Sequence, residues 1–425
     1  MTPHTPTAVL LSPRPSDVRA AREVGARSLV LASDLSSPHV REAALAADEA
    51  LAVDWRDHPR LLDAISHFAD SPLRSPALAP RASVFGFGEA AALVAARANE
   101  ALGLPGNPHA AVAYLTDKAA LRDRVNQLTA TPVRFERCDR AADLVPAASR
   151  VGFPCVVKPR TGSGGEGVHR LHGVADAEAL ARQLAPESAL IIEEDLQGPE
   201  YTAEAHSRAG RHTVLAVTRR YTTGVPDCVD TGYDLPAGLG KRTLSKVHKL
   251  VAATLDAAGH RTGPSHTEII ITSSGPRLVE SHAHPGSDHL SDLLQLATGT
   301  DRIALTFATV LGLPEPAPQP RDRYAGVRFL PLSVAEMRHS MHSAQEARNL
   351  PGVAGIEIIG YSDSHAPAAT SRAAGHGVLT AIGSSPQELA EVFHSAVDTL
   401  CPALGPAHRA TPAPEATMEE ELSAV

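Results

Sequence analysis

The segment Phe153–Val168, FPCVVKPRTGSGGEGV, constrains this chain more than any other. Cys155–Lys158 has the apolar, β-branched character of a buried strand and ends on a lysine. Glycines follow at positions 162, 164, 165 and 167, and Val168–Leu171 reads as a second strand. Glycine lets backbone N–H groups approach an anion because no Cβ intervenes, and a lysine at the same end adds a point charge suited to phosphate. The order strand, loop, strand excludes a dinucleotide fingerprint, which needs a helix directly after the glycines. G-K-[ST] is absent, which excludes a P-loop. Two readings of the segment remain, a flap over a phosphate and a structural hairpin loop.

Upstream, short apolar runs alternate with helical patterns. Ala8–Leu11, Ser28–Leu31 and Ser83–Phe85 read as strands, and Ser16–Gly25, Asp57–Ala69 and Glu89–Leu102 as helices. Such alternation predicts a small doubly wound α/β unit with a parallel sheet over residues 1–109. From residue 110 to 313 the pattern predicts α+β structure with mostly antiparallel pairing. It comprises a helix containing Thr116–Gln127, strands at Pro132–Arg137, Ala189–Glu193, Tyr201–Ser207 and His212–Thr218, and helices at Ala175–Leu184 and Leu244–Ala258. A hairpin, Ser265–Thr272 with Arg277–His282, closes it. The proline-rich Leu313–Arg323 reads as a linker to a small C-terminal α+β domain, 314–405, with strands at Ala325–Leu330, Val353–Tyr361 and Gly377–Ile382 and a helix at Pro386–Val397. Residues 406–425 read as a disordered tail.

Composition narrows the function classes. At 425 residues and a formal charge of −9, the chain is too long for one core and has no basic field for nucleic acid or anionic lipid. An anionic ligand must therefore be met by a local cluster of cations. The four cysteines form no C-x-x-C pair, and the longest apolar runs fall well short of the ~18 residues a membrane span needs. The N-terminus does not read as a signal peptide, so a cytoplasmic protein is expected.

Two further motifs carry chemistry. Leu190–Tyr201, LIIEEDLQGPEY, runs an apolar strand into Glu193-Glu194, then Leu196, then Gly198-Pro199-Glu200. In the closing hairpin, a three-residue loop around Ser273–Pro276 would set Glu268 and Glu280 opposite each other, with Cβ atoms ~5 Å apart. Two carboxylates that close repel unless a hard cation lies between them. Ile269, Ile271 and Val279 then face the core.

In this order, with Lys118 upstream in YLTDKAALRDRV, the motifs resemble the ATP-grasp superfamily across 110–313. The resemblance is nearest to its carboxylate–amine ligases of the L-amino-acid ligase-like branch. It implies an ATP-grasp fold flanked by an N-terminal Rossmann-like (pre-ATP-grasp) domain and a small C-terminal domain. It also implies ATP and Mg²⁺, for which Mn²⁺ can substitute, an amide product formed through an acyl phosphate, a place in a specialised biosynthetic pathway, and the homodimers common in the family. Carried over by position, Lys118 and Lys158 match the phosphate lysines, with Lys158 also catalytic. Ser163, Gly164, Gly165 and Gly167 match the flap, Glu193, Glu194 and Leu196 the adenine contact, and Glu200 the ribose acceptor. Glu268 and Glu280 match the metal carboxylates.

The acceptor side departs from the family pattern. Its E-x-N-x-R-x-G-G signature here reads Glu280-Ser-His282-Ala-His284-Pro-Gly286-Ser287. His282 thus stands in the place of a third metal ligand, and His284 in that of a substrate or phosphoryl anchor. A hard cation prefers oxygen to imidazole, and histidine makes no bidentate fork. Asp230, Tyr233, His284 and Gly286 are expected to line the substrate, with Arg328 as an alternative catalytic anchor. The alternatives are a carboxylase- or formyl-transfer-type chemistry, a non-catalytic ATP-binding partner protein, and a zinc hydrolase built on His282, His284, His289 and Asp288. The zinc hydrolase leaves both lysines and the glycine loop unexplained.

Overall fold

The computed structural model describes residues 5–67, 82–129, 132–162, 164–224, 229–286, 289–317, 319–359 and 376–402. The proposed tail 406–425, Ser163, and the end of the strand expected to reach Tyr361 lie outside them.

Near the N-terminus, β1 (Thr7–Leu11), β2 (Arg27–Ala32), β3 (Glu49–Ala52) and β4 (Ala82–Phe85) form a sheet in the order β3-β2-β1-β4, with every pairing parallel. Helices α1 (Pro15–Glu23), α2 (Pro38–Ala46), α3 (His58–His67) and α4 (Glu89–Leu102) connect and cover these strands. The apolar runs are continuous because both faces of the central strands are buried. Sequence periodicity missed β3, a largely exposed edge strand of sequence EALA that has no β-branched residue.

Where one helix was expected, there are two, α5 (His109–Thr116) and α6 (Lys118–Asn126). Asp117 breaks them. Its backbone is extended, and its carboxylate caps α6 by accepting from Ala119 N at 3.0 Å and Ala120 N at 3.1 Å. Lys118 is therefore the first helical residue, and its N–H donates to Arg160 O at 2.9 Å.

A second sheet has the order β5-β8-β6-β7, with strands β5 (Phe135–Arg140), β6 (Cys155–Pro159), β7 (His169–Leu171) and β8 (Glu187–Glu194), all antiparallel. Helices α7 (Leu144–Val151) and α8 (Val174–Ala181) pack on Cys155, Val157, Leu190 and Ile192. Strand alternation sends the residues between them, Lys158 and Glu193, to the opposite face.

The third sheet is eight-stranded, β13-β12-β9-β10-β11-β14-β16-β15. Its strands are β9 (Glu200–Arg208), β10 (Arg211–Thr222), β11 (Asp230–Leu235), β12 (Gly263–Thr272), β13 (Gly275–His282), β14 (Tyr324–Pro331), β15 (Val353–Ile359) and β16 (His376–Gly383). Helices α9 (Lys241–Ala258), α10 (Leu290–Thr298), α11 (Arg302–Leu311), α12 (Val334–Arg348) and α13 (Pro386–Leu400) cover it. The unforeseen β11 is the seam, pairing with β10 on one side and β14 on the other, so the C-terminal strands continue the sheet that begins at β13. Among the described residues, no helix is long and apolar enough to cross a membrane.

Candidate active site

Glu268 and Glu280 are partners in register, as the hairpin reading required, but the hairpin achieves this differently. The turn has two residues, Ser273 and Ser274, between Thr272 and Gly275. A β-bulge inserts the extra residue, Val279, so that Glu280 faces Glu268 while Leu278 faces Ile269. The core residue opposite Ile269 is thus the buried Leu278, and the expectation that Val279 fills that place is corrected. The carbonyl freed at Val279 lies 3.4 Å from both Lys158 Nζ and Arg122 Nη2.

Cross-strand register explains the remaining polar groups. One rung reads Glu204, His266, His282 across β9, β12 and β13, and the next reads Thr202, Glu268, Glu280. Residues directly opposite share a face, so these side chains converge. Lys118 Nζ lies 3.0 Å from Glu280 Oε2 and donates to the Gly162 carbonyl at the start of the flap. Lys158 Nζ lies 2.6 Å from Glu193 Oε2, and Arg122 takes the other oxygen. Two lysines from separate elements therefore reach one set of buried carboxylates. Gly164, Gly165 and Gly167 all have φ between 70° and 75°, the left-handed region that an L side chain enters only with strain. Gly162 N donates to Glu89 Oε1 on α4 at 3.2 Å, tying the flap to the first sheet's helices.

Burial alone would raise these carboxyl pKa values, but partner charges win. Against burial, Arg122 and Lys158 hold Glu193 below the usual range. Against burial, His282 and the two lysines hold Glu280 well below it. Glu268 is lowered by Arg220, against both burial and the repulsion of Glu280. Glu200 and Asp230 are raised, chiefly by burial.

Arg220 is a residue that motif reading missed. It donates to Glu268, to Asp230 Oδ1 at 2.6 Å, and lies 3.6 Å from Glu200 Oε2, linking three expected site residues. The available signal was a charged residue inside a strand, RRYT, ten positions before Asp230. Also missed was a buried chain from Arg302 through Glu204 to His266. Arg302 pairs with Glu204, Glu204 Oε1 lies 2.5 Å from His266 Nδ1, and His266 Nε2 lies 3.5 Å from Glu268 Oε1. Despite burial, Glu204 raises His266 to about 10, so this ring is a cation.

The remaining expected residues have varied surroundings. Tyr233 is 3% exposed, packs among Leu235, Leu290 and Val327, and hydrogen-bonds Asp230; it is a core residue rather than a free pocket wall. Arg328 is not a free anchor. It forks onto Asp234 at 2.7 and 3.0 Å, and its guanidinium carbon lies 5.1 Å from the Tyr221 ring and 4.2 Å from that of Phe393. Glu194 turns outward to Arg134, accepting from its Nε at 3.1 Å. Glu200 accepts from Thr222 Oγ1 at 3.2 Å. Leu196 lies in the unstructured link between β8 and β9. His284 is held neutral by burial and by His282, with its pKa pushed down to about 3, so it cannot take an arginine's place as a cation. His289 immediately precedes α10, and its Nδ1 lies 3.0 Å from Asp292 Oδ2. Among the described residues, no group of three or more His, Cys, Asp or Glu is gathered closely enough to hold a metal by itself.

Residues 151–290 match the sequence family described as an ATP-grasp domain. The chain is 27% identical to carnosine synthase 1 of Gallus gallus over 346 residues, covering 73% of this chain and 36% of that protein. It is 27% identical to a D-alanine–D-alanine ligase of Ectopseudomonas mendocina, covering 49% of this chain and 69% of that one. The chain thus spans about a third of the length of the carnosine synthases it matches. Among solved structures, an L-amino acid ligase from Bacillus licheniformis superposes with a TM-score of 0.74 at 20% identity, over 94% of this chain and 98% of that one. Residues 151–290 thus match an ATP-grasp domain, the chain shares the fold of the L-amino acid ligase structure, and Lys118 and Lys158 converge on one set of buried carboxylates within it.

Proposed function

We propose that the chain is an ATP-dependent carboxylate–amine ligase. It activates a carboxylate as an acyl phosphate and passes the acyl group to an amine, releasing ADP and phosphate. The observation that carries this reading is the approach of Lys118 and Lys158 to Glu280 and Glu193 beside the in-register pair Glu268/Glu280. Phosphoryl transfer is chiefly positioning plus neutralisation of phosphate oxygens, and two convergent lysines supply that charge. In this reading Lys118 and Lys158 meet the phosphates and the loop 163–167 covers them. Glu193 and the backbone of Glu194 and Leu196 border the adenine, and Glu200 accepts from the ribose.

The facing carboxylates fit a divalent cation. They are buried oxygen donors on one face, held ionised by cations that a metal could relieve. Glu268 and Glu280 would hold Mg²⁺, with His282 Nε2, 3.2 Å from Glu280 Oε1, as the less suited neighbour. When bound, the ion would neutralise phosphate oxygens. The chain's own part is to orient the nucleotide, aim the acceptor carboxylate and exclude water beneath the flap. Small amino-acid-like substrates are supported by the names of the matched relatives, which refer to carnosine, L-amino acids and D-alanine. The partition at residues 109 and 313 rests on the sequence pattern and the resemblance, and a homodimer on the resemblance alone; limited proteolysis and sedimentation velocity test them.

The deciding experiment is an ADP-release screen over pairs of amino acids and carboxylic acids, with bicarbonate and formate as separate arms and products identified by mass. Stimulation by one pair with a matching amide supports the reading. Stimulation by bicarbonate or formate alone, or ATP binding with no stimulation at all, overturns it.

A further inference from the structure

His284 occupies the position where the resembled family carries an arginine, and its ring is set up for the opposite job. Nδ1 lies 2.8 Å from the Pro285 carbonyl, which can only accept, so Nδ1 carries the proton and Nε2 presents a lone pair. That Nε2 is buried and has no hydrogen-bond partner. A buried acceptor left unmet is unfavourable, and in a site it is a place for a ligand's donor.

The peptide just beyond the ring is held in place. The Gly286 peptide is gripped on both sides, its N–H by Glu204 Oε2 at 3.3 Å and its carbonyl by Arg302 Nη2 at 2.7 Å. A Cβ at Gly286 would lie 2.7 Å from His266 Nδ1 and 2.7 Å from Leu290 Cδ1, so a side chain has no room there. On the other side, the His284 ring lies 5.0 Å from the His282 ring, whose Nε2 approaches Glu280. The His284 ring is thereby the neighbour of the imidazole that reaches the carboxylates on which the two lysines converge.

We propose that His284 Nε2 accepts a hydrogen bond from the N–H of the attacking amine, so that the site selects a donor where an arginine would select an anion. This rests on the ligase reading. A carboxylate offers only acceptors to a lone pair and is turned away, whereas an amine offers N–H groups. His284 is thus a specificity-determining residue for the nucleophile, and the amine substrate places its nitrogen, rather than a carboxylate, against this ring.

The test uses the full chain in two arms. In the first, the chain carrying ¹⁵N-labelled histidine is titrated with ethylamine and, separately, with acetate. The His284 Nε2 resonance is assigned by its loss in His284→Met. Movement with ethylamine and not with acetate is expected; movement with acetate alone, or with neither, overturns the proposal. In the second, steady-state constants are measured for the amine–carboxylate pair that supports turnover. His284→Met should raise the amine KM about tenfold and leave the KM for ATP unchanged, as expected for one lost hydrogen bond to a charged or polar partner. His284→Gln, which keeps an acceptor oxygen, should stay within about threefold of wild type, and His284→Arg should be the worst for the amine. An unchanged amine KM in His284→Met, or a rise confined to the carboxylate, overturns it. If no pair supports turnover, the ligase reading fails while the titration still decides the acceptor. Should His284→Met not fold, the Gln and Arg variants retain the contrast.

Discussion

Replacing Arg302 with leucine should destabilise the protein by about 4 kcal/mol, toward the middle of the range for stripping one partner from a buried ion pair. Arg302 is 2% exposed and Glu204 1%. The guanidinium donates to Glu204, to Ser291 Oγ at 2.8 Å and to the Gly286 carbonyl at 2.7 Å, and leucine loses all three. His266 stays beside Glu204, which keeps the cost from the top of the range. Since a domain's whole stability is about 5–15 kcal/mol, the effect is large. Urea unfolding followed by far-UV circular dichroism measures it. The paired variant Arg302→Leu with Glu204→Leu removes both charges, so its cost should fall short of the sum of the single costs by about 2 kcal/mol or more. A single-variant cost below about 1 kcal/mol, or strict additivity, would refute the claim that this pair is desolvated and mutually dependent.

Further outcomes follow from the same geometry. Lys158→Ala should abolish ATP turnover while circular dichroism stays native; near-wild-type ADP release would remove Lys158 from the phosphate site. Glu280→Gln should erase the Mg²⁺ dependence of nucleotide binding in calorimetry, and an intact dependence counts against the metal role. His206 and His260 are held neutral by burial, pushed from 6.5 to about 4 and about 3. The unfolded chain binds protons at these sites below about pH 6.5 while the folded chain does not, so stability falls as pH drops until the folded rings titrate. His206→Gln should therefore flatten the acid-side slope by about 1.4 kcal/mol per pH unit between about pH 6 and pH 4.5, and an unchanged slope would show that this ring is already solvated.

Much of the lysine–carboxylate cluster was legible because it lies in contiguous motifs. The strand carrying Lys158, the glycine loop and the strand carrying Glu193 each announce themselves within a dozen residues, and Glu268/Glu280 are joined by one hairpin. What stayed hidden depends on pairings between distant strands. Glu204, His266 and His282 form one rung although the outer two are 78 positions apart, and no local period reveals that. Arg220 joins Glu200, Asp230 and Glu268 only once β10 lies between β9 and β11. Arg328 misled because its position suggested an open anchor, whereas Asp234, its partner, arrives through β11, a strand whose glycine and mixed polarity gave no strand signal. Likewise, α5 and α6 read as one helix until the Asp117 cap separated them.

The bulge at Val279 makes the hairpin divisible into parts that could be altered one at a time. Excising that residue would leave a regular ladder in which Ile269 still meets Leu278 and the glutamate still meets Glu268. Neither the oily interior nor the acidic pair requires the insertion. What would vanish is a peptide oxygen facing Lys158 and Arg122. The extra residue thus furnishes a neutral resting place for a second of the lysine's hydrogens, and its removal should leave the ammonium leaning wholly on Glu193.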